Sequence, residues 1–291
     1  PLPLGYCNVG TVVAVGSDVS DFKPGDRVVS NGPHAEVVCV PKNLCSQIPD
    51  DVADEAAVFT VMGAVALQGV RLLNPTIGES VVVSGLGLVG LLAVQILRAN
   101  GCKVLGLDYD SNRLKLAAEY GAQIFDLSTG ERPDLAVDRF SNYKGVDAVL
   151  IAASTDCSEP VEQAARFCRV RGRIVLTGVA RIQLSRELMY RKELSFQVSA
   201  SFGPGRYDQT YERDGHDYPY GFVRWTERRN FEAVLDLLSD NRINVDRLIT
   251  NRYSIYDSVA AYEQVFAKNT IGIVFEYPKN DESQHKNTVN L

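Results

Sequence analysis

Between residues 79 and 199 the apolar positions fall into short β-branched runs, each followed by a stretch with helical spacing. This pattern predicts strands at 81–84, 103–107, 123–125, 146–152, 173–178 and 194–200. Helices are predicted at 88–99, 111–120 and about 158–169, the last with Pro160 in its first turn. Strand and helix in alternation argue for a parallel sheet covered on both faces. The flanks read differently. Residues 1–49 look all-β: a β-branched run at 10–16, a Pro24-Gly25-Asp26 turn into Arg27-Val28-Val29, and an alternating stretch at 35–40 that stops at Pro41. From 53 to 72 the period becomes helical, behind the acids Asp50, Asp51, Asp54 and Glu55. Two amphipathic helices follow at 229–240 and 257–268. The first presents Phe231, Val234, Leu235 and Leu238 on one face, and the second is expected to be capped by Asp257. A strand at 271–275 closes the ordered part, and the polar tail reads as a linker or frayed end.

The junction between the first predicted strand and helix of the alternating region carries a motif. Gly85-Leu86-Gly87-Leu88-Val89-Gly90 has the spacing G-x-G-x-x-G, with a strand before it and a helix after it. Eighteen residues beyond Gly90, a second strand ends on Asp108. In that context the motif reads as a dinucleotide site. Gly85 permits the sharp turn, Gly87 lets a pyrophosphate approach the backbone, and Gly90 permits close packing. The helix N-terminus, at Leu88 and Val89, offers N–H groups to the phosphates. Asp108 would accept from the ribose hydroxyls and repel a 2′-phosphate, which favours NAD. Tyr109 and Arg113 lie beside it, and Arg113 keeps NADP open. Ligands in such sheets sit at the carboxyl ends of strands. That makes Ala153-Ser154-Thr155 and Gly178-Val179-Ala180 expected cofactor neighbours.

Length and composition narrow the setting. A chain of 291 residues, 45% hydrophobic and 23% charged, suits a two-domain globular protein. A net charge of −6, without a concentrated basic stripe, argues against nucleic acid as a partner. No apolar run is long enough to span a membrane, and neither a membrane span nor a secretory signal is expected from this sequence. The six cysteines show neither C-x-x-C nor zinc-finger spacing. They read mainly as buried, reduced thiols of a cytoplasmic protein.

Over nearly its whole length the chain resembles the medium-chain dehydrogenase/reductase superfamily. The resemblance rests on Leu4-Gly5, Gly10-Thr11-Val12-Val13-Ala14-Val15-Gly16, Phe22-Lys23-Pro24-Gly25-Asp26-Arg27-Val28, His34-Ala35-Glu36-Val37-Val38, Pro49-Asp50, Ala56-Ala57 and the glycine loop. It implies an α/β fold: a Rossmann doubly wound parallel sheet at 67–204 and a GroES-like β-barrel-type catalytic domain at 1–66 and 205–279, with 280–291 as a linker or tail. Relative to that superfamily, several tens of residues before Gly5 are missing. A fragment or a reduced barrel is therefore expected, with an exposed sheet edge unless something covers it. The stretch from Ser201-Phe202-Gly203-Pro204-Gly205-Arg206-Tyr207 through His216-Asp217-Tyr218-Pro219 to Arg224-Trp225-Thr226 is similar to the bacteriochlorophyllide dehydrogenase-like and bi-domain oxidoreductase subgroup. That likeness implies a fused C-terminal oxidoreductase domain as a partner and sugar metabolism as the setting.

The same resemblance implies how the chemistry departs from its zinc enzymes. Their Gly-His-Glu stands here as Gly5-Tyr6-Cys7, and the third ligand position falls near Phe59 or Thr60, neither of which suits zinc. The four-cysteine structural zinc lobe is absent. A zinc-free oxidoreductase is expected, with hydride transfer between nicotinamide and a carbonyl or alcohol substrate. Tyr6 then serves either as the hydrogen-bond donor to the substrate oxygen or as a packing residue in a vacant metal site. His34 is either an acid or relay group or a surface turn residue. Arg206, Tyr207, Arg224 and Trp225 suit a bulky anionic or ring-bearing small-molecule substrate. An interdomain or homodimer contact explains that segment equally well. The alternative function is a non-catalytic NAD(H)-binding or sensing module that serves a partner oxidoreductase domain.

Overall fold

A computed structural model of the chain describes residues 4–265, 267 and 269–278. The expected linker or tail at 280–291 lies outside them. The described residues fall into two compact units divided between Val245 and Asp246.

The first unit opens with a small antiparallel sheet of β1 (Asn8–Thr11), β2 (Arg27–Ser30) and β3 (Cys45–Gln47), in that order. Two helices follow, α1 (Asp54–Ala57) and α2 (Thr60–Leu73). The alternating core then consists of β4 (Ser80–Ser84), α3 (Leu88–Ala99), β5 (Lys103–Asp108), α4 (Ser111–Glu119), β6 (Gln123–Asp126), α5 (Pro133–Phe140), β7 (Val146–Ile151), α6 (Glu159–Phe167), β8 (Cys168–Leu176), α7 (Arg186–Lys192) and β9 (Ser195–Val198). The short α8 (Gln209–Glu212) and the long α9 (Glu227–Ser239) complete it.

Six strands pair in parallel in the order β6-β5-β4-β7-β8-β9. The chain leaves β4 toward one side, returns across it, and continues on the other. The switch point therefore lies between β4 and β7, where open α/β sheets bind their ligands. The strands are long apolar runs because both faces are covered. Val82, Leu105, Val149, Ile151, Ile174 and Leu176 are at most 3% exposed and form one core with α5 and α6.

Several expectations change on contact with the structure. The run at 10–16 contributes only its start to β1, because β2 pairs with just Asn8–Thr11. Residues 35–40 form no strand despite their alternation. No strand among the described residues pairs with them, and Val37 is exposed. The predicted helix at 53–72 is interrupted at Val58-Phe59, where Phe59 N–H reaches the Ala56 carbonyl in a tighter turn. Cys45, Cys102 and Cys168 are buried thiols, whereas Cys39 and Cys157 are exposed.

The second unit pairs β10 (Ile249–Ser254) with β11 (Gly272–Glu276) in parallel, with α10 (Ser258–Gln264) between them. Asp257 makes no side-chain cap to α10. Ser254 instead accepts from Tyr256 N–H, one turn earlier. Among the described residues no helix is long and apolar enough to cross a membrane.

Candidate functional site

The glycine loop occupies the switch point. Gly85 has φ +91°, a conformation costly for any residue with a Cβ, and a Cβ there would lie 2.5 Å from the Ala153 nitrogen. Ala152 and Ala153 N–H both reach the Ser84 carbonyl, at 2.8 and 3.0 Å, so the turn after β7 is fastened to the end of β4. Gly90 is pinned inside the loop itself: a Cβ would stand 2.0 Å from the Gly85 carbonyl oxygen, while the nearest atom across the sheet is the Ala152 Cβ at 3.6 Å. Gly87 is the opposite case. A Cβ on it meets nothing within 4 Å. As N-cap of α3 it brings no side chain to the first-turn N–H groups of Leu88, Val89 and Gly90. The loop therefore leaves space and unpaired donors in the same place, which fits a pyrophosphate.

Asp108 ends β5 behind this loop. Its Oδ2 accepts from Leu86 N–H at 2.6 Å and its Oδ1 from Asp110 N–H at 2.9 Å, so the carboxylate braces the loop directly. Tyr109 is exposed. Asp110 caps α4 through Asn112 and Arg113 N–H, and the Arg113 Nε stands 4.0 Å from the Asp110 carboxylate.

The turns after β7 and β8 close against each other. Ser154 bridges Val179 in parallel, Thr155 N–H reaches the Val179 carbonyl at 2.7 Å, and Val179 N–H reaches the Ala153 carbonyl at 3.0 Å. Gly178 is required by this closeness, since a Cβ would lie 2.1 Å from the Ala153 oxygen. Ala180 turns back onto the core. The cofactor residues expected from sequence are thus gathered at one end of one sheet.

Helix α2 ties this end to the Tyr6 segment. Near its start, the Met62 backbone lies close enough to Cys7 to lower the pKa of its thiol slightly against the larger effect of burial. Two turns on, Gly69 faces Thr177, whose Oγ1 is buried without a hydrogen-bond partner and 2.4 Å from where a Cβ would stand. On another face, Gly63 receives Val234 of α9. Seven residues of helix, about 10 Å, separate Met62 from Gly69. His34 packs its ring under Gly5, which has φ +76° and whose Cβ would fall 2.1 Å from Nε2; His34 N–H holds the Leu4 carbonyl at 2.8 Å.

Burial sets the ionisation of this group. Tyr6 is half exposed, and burial followed by the neighbouring Cys7 raises its phenol above the usual value. Burial pushes the Cys7 thiol up to about 12 and lowers His34 below the usual imidazole value. All three are therefore neutral near pH 7. Thr60, where a third metal ligand would be needed, is a buried hydroxyl. Among the described residues no three His, Cys, Asp or Glu side chains converge as a metal site. Tyr6 and Thr60 bring a phenol and an aliphatic hydroxyl, not the thiolate, imidazole or carboxylate that zinc prefers.

The remaining four expected residues lie elsewhere. Arg224 and Trp225 sit over Arg71, at the other end of α2 and about 13 Å of helix from Met62. Arg206 is engaged by Glu212 at 2.5 Å and stacks on Tyr207. The segment around them folds on itself: Phe202 packs on Phe231, Tyr211 stacks on Tyr218, and Asn43 Nδ2 donates to the Tyr211 carbonyl at 2.8 Å. Sequence reading missed Arg71 and Glu227. Glu227 is fully buried with no hydrogen-bond partner for either oxygen, and it stands in a helix-start position where an acid looks ordinary.

Two family models match the chain: an alcohol dehydrogenase GroES-like domain over residues 1–84 and a zinc-binding dehydrogenase domain over residues 89–213. A probable D-xylulose reductase A from Neosartorya fischeri is 27% identical over 92% of this chain and 78% of its own. The D-guloside 3-dehydrogenase of Escherichia coli is 26% identical over 90% of this chain and 73% of its own. Among solved structures, alcohol dehydrogenase TADH from Thermus sp. ATN1 superposes with a TM-score of 0.79 at 24% identity, covering 94% of this chain and 84% of that one.

Proposed function

This chain belongs to the medium-chain dehydrogenase/reductase superfamily, and from that premise we propose that it is a zinc-independent, NAD-dependent oxidoreductase acting on a carbonyl/alcohol pair in a sugar or similar polar metabolite. The loop at Gly87 carries the reading. It leaves open space, presents first-turn N–H groups and is braced from behind by Asp108. The relatives named as a xylulose reductase and a guloside dehydrogenase support the sugar-like substrate. The division into a GroES-like part at 1–66 and 205–279 and a dinucleotide part at 67–204 belongs to the same proposal.

A bound nicotinamide supplies or accepts the hydride. The chain itself has to stabilise charge on the substrate oxygen and deliver a proton. Tyr6 has the chemistry for both, as a half-exposed phenol that stays protonated at neutral pH. His34, neutral beneath Gly5, is the relay in this reading. Cys7 alone does not make a metal site, since among the described residues no three His, Cys, Asp or Glu side chains converge.

The test is NADH oxidation by the full chain across a panel of ketoses and related carbonyl compounds. Tyr6→Phe is expected to lower turnover by about a hundredfold or more while NADH binding is kept. Chelator treatment is expected to change nothing. Wild type inert on every substrate, with normal NADH binding, would leave only an NAD(H)-binding module serving a partner domain. One zinc per chain, lost in Cys7→Ser, would defeat the zinc-independent part alone.

Cofactor choice has its own test. Asp108→Ser removes the charge that opposes a 2′-phosphate and also loosens the loop at Leu86. Both cofactors should bind more weakly, but the NADPH-to-NADH affinity ratio is expected to rise by at least about tenfold. An unchanged ratio would take Asp108 away from the ribose.

A further inference from the structure

Five side chains near the start of α9 form an alternating stack of cations and rings. Arg71 lies over Trp225 with its guanidinium carbon 3.3 Å from the ring centroid, and Arg224 lies over the same ring at 3.6 Å. Two guanidinium groups that close to one centroid fit only on opposite faces. Arg224 also covers Tyr220 at 4.5 Å, and Arg229 covers Tyr220 at 5.2 Å.

The charges in this neighbourhood are unevenly matched. Arg206 is paired with Glu212, Arg213 with Asp214, Arg228 with Asp21, and Arg229 with Asp217. Among the described residues neither Arg71 nor Arg224 has a carboxylate within ion-pair distance. Arg71 is oriented by its Nε, which donates to the Asn230 Oδ1 at 2.8 Å. Burial, and then the nearby charge of Arg224, lower its pKa to about 10. The ring attracts both cations, but it does not neutralise them.

We propose that Arg71 and Arg224, clamped on the two faces of Trp225, form a binding site for the phosphate group of a phosphorylated small molecule. A phosphate ester carries close to two negative charges at neutral pH, matching the two unpaired cations. A single carboxylate would match only one. Guanidinium presents paired N–H donors in the spacing that phosphate oxygens accept. Arg224 is exposed and Trp225 half-buried, so the ring edge is open to a ligand. This site does not depend on the Tyr6 chemistry proposed above.

Trp225 is the single tryptophan of the chain. Its emission therefore reports on this site alone. The full chain is titrated with inorganic phosphate and then with a hexose phosphate, at constant ionic strength set by chloride. A saturable change in emission is expected, reduced by competing sulfate and not reproduced by chloride or acetate. Arg224→Gln should weaken phosphate binding by at least about tenfold, the size of a lost charge-assisted hydrogen bond, and should leave NADH binding unchanged. An equal change in emission with every anion, chloride and acetate included, would overturn the site. So would an Arg224→Gln chain that titrates like wild type.

Discussion

Gly87→Asp is expected to stabilise the protein without cofactor and to abolish NADH binding. The two effects have opposite signs because one position serves two ends. Gly87 is the N-cap of α3, with φ −66° and ψ −171°, a conformation open to any residue, and it adds no side-chain cap of its own. Aspartate at an N-cap accepts from the first-turn N–H groups and complements the helix dipole, a gain over glycine of roughly 0.5 to 1 kcal/mol. A Cβ there meets nothing within 4 Å, so packing does not object. Those same N–H groups and that same space are what a pyrophosphate would use. The new carboxylate would occupy both and repel the phosphates. NADH affinity should fall by more than about a hundredfold, or roughly 3 kcal/mol, while the melting temperature of the apo protein stays level or rises. Titration of NADH fluorescence together with a thermal melt measures both. A variant that melts normally and still binds NADH like wild type would move the cofactor away from the Gly85–Gly90 loop.

Glu227→Gln is expected to raise stability, and increasingly so as pH rises. Glu227 opens α9 fully buried, with neither carboxyl oxygen hydrogen-bonded. Its backbone N–H reaches the Pro204 carbonyl at 2.9 Å, so the side chain cannot easily leave. Arg206, the nearby cation, is taken by Glu212. Burial, followed by the charge of Glu212 and opposed by Arg206, pushes the Glu227 carboxyl up to about 8. Tyr211 and Tyr218 are the other titratable groups that feel its charge, and both stay protonated at neutral pH. In the unfolded chain a glutamate ionises near 4.3. Between that pH and about 8 the unfolded state has released a proton that the folded state still holds. Wild-type stability therefore falls across this window as pH rises. Glutamine has no proton to lose. The variant should match wild type near pH 4 and lead it by a few kcal/mol at pH 8 and above. Urea melts of both proteins across that range measure the difference, and equal pH dependence would mean that Glu227 has found a partner or water.

Legibility from sequence followed the degree of burial on both faces. The strands β4, β5 and β7 are apolar runs interrupted only by Gly106, Asp147 and polar end residues, and α3 spans the expected 88–99. Helices α5 and α7 escaped notice. α5 buries only Val137, and α7 has no buried residue at all, so neither shows a continuous apolar stripe. The stretch at 35–40 alternated correctly for a strand, but alternation records only which side chains differ, not whether a partner strand exists. The dinucleotide loop was legible because its chemistry is local, a few residues of one turn. The cation stack and the buried Glu227 were not, because each depends on residues far apart in the chain. Arg71 meets Trp225 across 154 positions of sequence, and Glu227 lost its natural partner to Glu212 only through the fold of 201–226.

The two glycines of α2 have a kinematic consequence. Gly63 admits Val234 on one face and Gly69 admits Thr177 on another, each closer than a Cβ would allow. Turning the helix by one residue would bring Ala64 and Val70 into those contacts. The helix can neither roll nor slide like an ordinary packed cylinder. It behaves as a keyed shaft, moving only as one piece with the end of β8 on one side and α9 on the other. Any opening of the glycine loop for cofactor exchange has to be hinged somewhere other than this helix.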